Sequence, residues 1–126
     1  MNAAEISDFE LLHAKLQGLY DEVLTLSKKS PSDALNKFKI RIANNIMAAA
    51  NAFLLAQGEA LPVDGVEQLD DTDLPFNSDV VMILSQYLQC LEKLRSDNVE
   101  EYGRDWYWIV DKHRSERRAS TPRKLK

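Results

Sequence analysis

Phe9, Leu12, Leu16, Leu19, Val23 and Leu26 succeed one another at intervals of 3, 4, 3, 4 and 3. That alternation lays all six along one side of an α-helix as an a/d seam of almost three heptads. A helix with such a seam cannot bury it alone, so the chain is committed to helix-on-helix packing. Ser7-Asp8-Phe9-Glu10 predicts the start as a capping box, with Ile6 and Leu11 set to form the accompanying hydrophobic staple. Gly18 lies inside the helix, where glycine costs roughly 1 kcal/mol relative to alanine and leaves room for a close backbone approach.

Lys28-Lys29-Ser30 closes this helix with charges suited to its C-terminal dipole. Ser30-Pro31-Ser32-Asp33 then predicts the next helix through a cap, a first-turn proline and an early acid. So short a connection predicts an antiparallel helical hairpin. Leu35, Phe38, Ile42, Ile46, Ala49 and Phe53 are the expected buried face of the second helix, with Gly58 and Pro62 beyond its end. Met47-Ala48-Ala49-Ala50-Asn51-Ala52 is small on several sides and admits more than one close neighbour. Asn45 reads either as an edge amide or, if buried between helices, as a group that fixes register or oligomeric state.

Periodicity lapses over residues 59–77, an acidic loop containing Asp70, Asp71 and Asp73; loops of this length in compact domains tend to be functional or mobile. Asn77-Ser78-Asp79 is expected to cap a third helix whose seam is Val80, Leu84, Tyr87, Leu91 and Leu94, ending near Ser96-Asp97-Asn98. Beyond it, Trp106-Tyr107-Trp108-Ile109-Val110 has the aromatic and β-branched texture of a short strand. Arg117 to Thr121 would return as its partner across residues 112–116, a fourth short helix being the alternative. The expected fold is mainly α, three amphipathic helices in which a helical hairpin is joined by a third helix, with a short C-terminal β-hairpin. At 126 residues this is one domain: residues 1–111 form the helical body with its aromatic segment, and 112–126 a basic tail or hairpin return.

The net charge of −4 conceals an asymmetry. Residues 112–126 hold seven basic residues and one acid, hence +6, which leaves −10 for the remainder. An acidic body with a basic end predicts a charged partner for one or the other. The sequence offers neither a signal-peptide pattern nor an apolar run long enough to span a membrane. Its single cysteine fits a reducing compartment, so a cytoplasmic location is expected.

Residues with catalytic potential are sparse. His13 and His113 are far apart in sequence, and Cys90 has no neighbouring base to activate its thiol. Asp70, Asp71 and Asp73 lack the ligand spacing and central glycine of an EF-hand. No grouped glycines could cradle a phosphate. The expectation is therefore a non-enzymatic protein with no metal and no cofactor.

Surfaces carry more information. Trp106, Tyr107 and Trp108 with Arg114, Arg117, Arg118, Arg123 and Lys124 combine residue types enriched at protein interfaces. They predict an accessory or adaptor protein that acts through a helix face and this C-terminal segment, as a subunit of a larger complex or a homo-oligomer. The same residues could bind a single-stranded nucleic acid, aided by the corner of Lys28, Lys29, Lys37, Lys39 and Arg41, because cations follow phosphates and aromatics stack on bases. The acidic body argues against this. A third reading is an acidic mimic of nucleic acid that inhibits a DNA- or RNA-handling enzyme.

Overall fold

A computed structural model describes residues 1–62, 68–70 and 72–123. Three helices come first, α1 (Ala3–Lys29), α2 (Lys37–Ala56) and α3 (Asn77–Asp97). Strands β1 (Val99–Tyr102), β2 (Asp105–Val110) and β3 (His113–Ala119) follow as one antiparallel sheet in the order β1-β2-β3. The chain is mainly helical with a small C-terminal sheet, as expected, and the hairpin gains a third strand because Val99–Tyr102 pairs with β2. Among the described residues no helix is long and apolar enough to cross a membrane.

α1 begins more than a turn before Ser7. Asn2 accepts from the Glu5 N–H at 2.8 Å while the Glu5 carboxylate accepts from the Asn2 N–H at 2.9 Å, so Asn2-Ala3-Ala4-Glu5 is the capping box that operates. The longer helix brings Ile6 into the core, whereas Leu11 stays 58% exposed and staples nothing. Ser7 and Glu10, released from capping, serve the sheet instead. The heptad seam is buried from Phe9 to Val23, and α1 packs more extensively on α3 than on α2.

The second helix also starts elsewhere than the sequence indicates. Residues 31–36 form no helical turn, and Asn36 caps α2 by accepting from the Lys39 N–H at 2.9 Å. The reason lies in the third helix. Its first-turn amides need outside acceptors, and Asn77 and Ser78 donate theirs to Asp33 O (2.8 Å) and Pro31 O (3.1 Å), while Leu35 N–H donates to Pro75 O (3.0 Å). The α1–α2 connection thus caps α3, with Phe76 rather than Asn77 at the N-cap position. The Asn77 side chain donates to Ser30 O at 3.1 Å from a buried position.

α2 is rotated relative to the expected face. Its buried residues are Ile40, Ala43, Met47, Ala50 and Leu54. Ala43, Met47, Ala50 and Leu54 each follow by one position Ile42, Ile46, Ala49 and Phe53 of the expected stripe, a turn of about 100° about the axis. The helix has two apolar stripes, and the one in which alanines flank a central Met47 is the one that packs inward. Leu35 is buried as expected, but from the loop before the helix.

In the sheet, alternation sends Trp108, Val99, Trp106, Val110 and Ala119 towards the core, and cross-strand pairing puts Tyr107 with Glu100 and Arg118 on the other face. Strand β3 starts at His113, so the return loop is not residues 112–116 but only Asp111 and Lys112. Both have positive φ, 50° and 67°, the requirement of a two-residue I′ turn. The β1–β2 loop, Gly103-Arg104, places its positive φ of 66° on glycine.

Candidate functional site

The stripe of α2 that does not enter the core borders a long apolar groove with α1. At one end Leu11, Leu12, Ile46, Ala49, Ala52 and Phe53 surround a hollow of about 480 Å³. At the other, Ala14, Gly18, Leu19, Phe38, Ile42 and Ile46 line a second of about 530 Å³. This lining shows that α1 and α2 run antiparallel. Asn45, Ile46 and Lys15 border both hollows and mark the middle. Phe38 is 70% exposed and Ile42 36%, while Ile46 and Phe53 are half-buried against the core. Side chains of this size on one face of a helix are the residue types that docking surfaces present.

The C-terminal residues singled out from sequence do not assemble into one surface. Trp108 is only 1% exposed, meets Phe9 edge-on at 5.3 Å between ring centroids, and donates its Nε1–H to Glu10 at 3.0 Å. Trp106 is half-buried on the same inner side, and Tyr107 is on the outer. Arg117 bonds back to α1, through Ser7 Oγ (3.1 Å), Ala3 O (3.3 Å) and the Glu10 carboxylate (3.3 Å). Arg118 pairs with Asp105, and Arg114 stacks on the Tyr102 ring at 3.7 Å. Arg123 donates through its backbone to Glu92 (3.4 Å) and through its guanidinium to Gln17 (3.2 Å). Lys124 lies outside the described residues. Residues 113–123 are therefore a tied-down edge of the domain, and their cations have partners within it.

Sequence reading missed a buried ionic group beneath that edge. Glu92 accepts from Arg95 at 2.7 Å and lies 3.0 Å from His13 Nε2, with the guanidinium 5.4 Å above the Phe9 ring. Burial, followed by the nearby Arg95 charge, lowers the His13 pKa and outweighs Glu92. A neutral imidazole that faces a carboxylate through Nε2 carries its proton there and donates it. Arg95 Nε is buried with no partner among the described residues. The i, i+3 spacing of Glu92 and Arg95 was legible, but their burial depends on His13 and Phe9 of α1 and on the backbone at Arg123, distant in sequence.

Asn44 holds the acidic loop by a paired bond to Leu69, accepting from its N–H at 2.6 Å and donating to its carbonyl at 3.0 Å. Asp70 Oδ1 accepts from Thr72 N–H (2.8 Å), Thr72 Oγ1 (2.7 Å) and Asp73 N–H (3.2 Å). These bonds, the Thr72 amide first, hold its pKa below the usual value. Asp73 is exposed, and Asp71 lies outside the described residues. Lys39, from the basic corner, pairs with Glu22 of α1. Burial, then Glu59, pushes the Cys90 thiol up and away from the reactive thiolate.

Comparison with protein-family models, with curated proteins and with solved structures yields no match to this chain.

Proposed function

We propose that this chain is a non-enzymatic accessory or adaptor protein of the cytoplasm, acting by protein–protein interaction through the α1–α2 groove. One observation carries the reading. α2 bears two apolar stripes, the core takes one, and the other is left exposed at Phe38 and Ile42 and only half covered at Ile46 and Phe53, beside an exposed Leu11. Covering such a stripe removes apolar surface from water at roughly 25 cal/mol per Å², the largest favourable term available to an association. The nucleic-acid reading draws less support, since the two indoles it needs for stacking face inward and the arginines are bonded within the domain.

The test is affinity capture from the native cell with the wild-type chain and with the double variant Phe38→Asp/Ile42→Lys, after circular dichroism has shown that the variant folds. Loss of the captured protein, including a tagged second copy, is the expected result. An unchanged set of captured proteins would overturn the proposal.

A further inference from the structure

We infer that a second copy of this chain covers the α1–α2 groove, packed about a twofold axis that passes beside Asn45; this rests on reading the groove as a docking surface. Each end of the groove is a hollow, and Phe38 stands as a knob on the rim of one of them. Phe38 projects near the start of α2, 70% exposed, and the hollow beside Leu11, Ala49 and Phe53 lies about 20 Å further along, at 1.5 Å per residue. A rotation by half a turn about the midpoint places the Phe38 of each copy over the hollow of the other. That is the self-complementarity an isologous contact requires.

The midpoint between Phe38 and Phe53 falls between Asn45 and Ile46, which border both hollows. An amide donates and accepts at once, so Asn45 and its twofold mate can bond reciprocally at the axis and fix the register.

Charge is compatible with the same arrangement. The body of the chain is strongly acidic, but along the groove Asp8 and Glu22 are balanced by Lys15 and Lys39. The twofold brings the Asp8 end of one copy to the end of the other that holds the Lys39–Glu22 pair, where no unbalanced like charge opposes it. Lys15, close to the axis, can hold its ammonium at the solvated rim on its long stem.

Gly18 adds an independent observation. A Cβ at this position meets nothing within 4 Å, so no contact inside the monomer calls for a glycine that weakens the helix. Close approach of a neighbouring helix beside Phe38 and Ile42 gives it a reason.

Sedimentation equilibrium on the full chain, from low to several hundred micromolar, is expected to give twice the 14.4 kDa chain mass. Phe38→Asp and Gly18→Gln are both exposed changes that leave the fold intact, and each is expected to weaken association at least tenfold. In a Cys90→Ser background, Asn45→Cys is expected to form a disulfide-linked dimer under mild oxidation, and Ser96→Cys is not. A 14.4 kDa mass at every concentration overturns the inference, as does a dimer indifferent to Phe38→Asp or one that fails to link through residue 45. If that monomer still loses a captured protein on Phe38→Asp/Ile42→Lys, the docking reading stands with a different occupant. If capture too is unaffected, both are refuted.

Discussion

The rotation of α2 can be tested by truncating one residue from each of its stripes. Met47 is fully buried, and a buried Met→Ala change costs 2–5 kcal/mol in lost transfer energy and cavity, so about 3 kcal/mol is a reasonable centre. Phe38 retains less than a third of its burial. Its truncation removes only about 0.5–1 kcal/mol of apolar contact, and the higher helix propensity of alanine offsets part of that. Unfolding entropy near 2.1 cal/mol/K per residue gives this 126-residue chain about 0.26 kcal/mol/K. Met47→Ala should therefore lower Tm by about 11 °C and Phe38→Ala by no more than about 4 °C. The assay is thermal denaturation followed by far-UV circular dichroism, at concentrations low enough that self-association adds nothing to either melt. Had the stripe expected from sequence been the buried one, the order would invert. A Phe38→Ala melt as low as that of Met47→Ala would refute the described packing.

Two further expectations concern the ionic group and the second hairpin. Because the folded-state pKa of His13 is depressed below 6.5, the unfolded chain takes up its proton first, and stability falls as pH drops from about 6.5 through the folded value; urea midpoints should decline over that range, and His13→Gln should flatten the decline. Lys112 holds a positive φ of 67°, a conformation that costs a non-glycine residue roughly 1–2 kcal/mol, so Lys112→Gly should raise the urea-derived stability by about 1 kcal/mol after its entropic cost; a loss of stability would contradict the I′ turn.

The α1 seam was legible because it has one apolar stripe and therefore one way to face a core. α2 was not, since Ile42 and Ala43, Ile46 and Met47, and Ala49 and Ala50 compete at adjacent positions and local periodicity cannot choose between them. The choice is tertiary: Ala43 and Ala50 are fully buried where α2 joins a core built mainly by α1 packing on α3. Pro31 misled for a related reason, because the carbonyls of Pro31 and Asp33 are claimed by α3 amides more than forty residues away in sequence. At the C-terminus the sequence disclosed a strand whose pleat puts Trp106 and Trp108 on one face, but not whether that face packs on the helices or meets a partner. The groove itself was hidden because Phe38, Ile42, Ile46, Ala49 and Phe53, its apolar lining from α2, read as the buried face of that helix.

The bonds from Arg117 to Ser7 and from Trp108 to Glu10 join residues 110 and 98 positions apart. Helix α1 is therefore completed by strands made about a hundred residues after it. Until residues 99–123 have emerged, Phe9 has no indole against it and Glu92 lacks its contact with the Arg123 backbone. Loops of that length are costly to close before their contacts reward them. The nascent chain must accordingly carry an unsealed helical seam from the synthesis of α1 to that of the sheet, the interval in which chaperone binding or misassociation competes with folding.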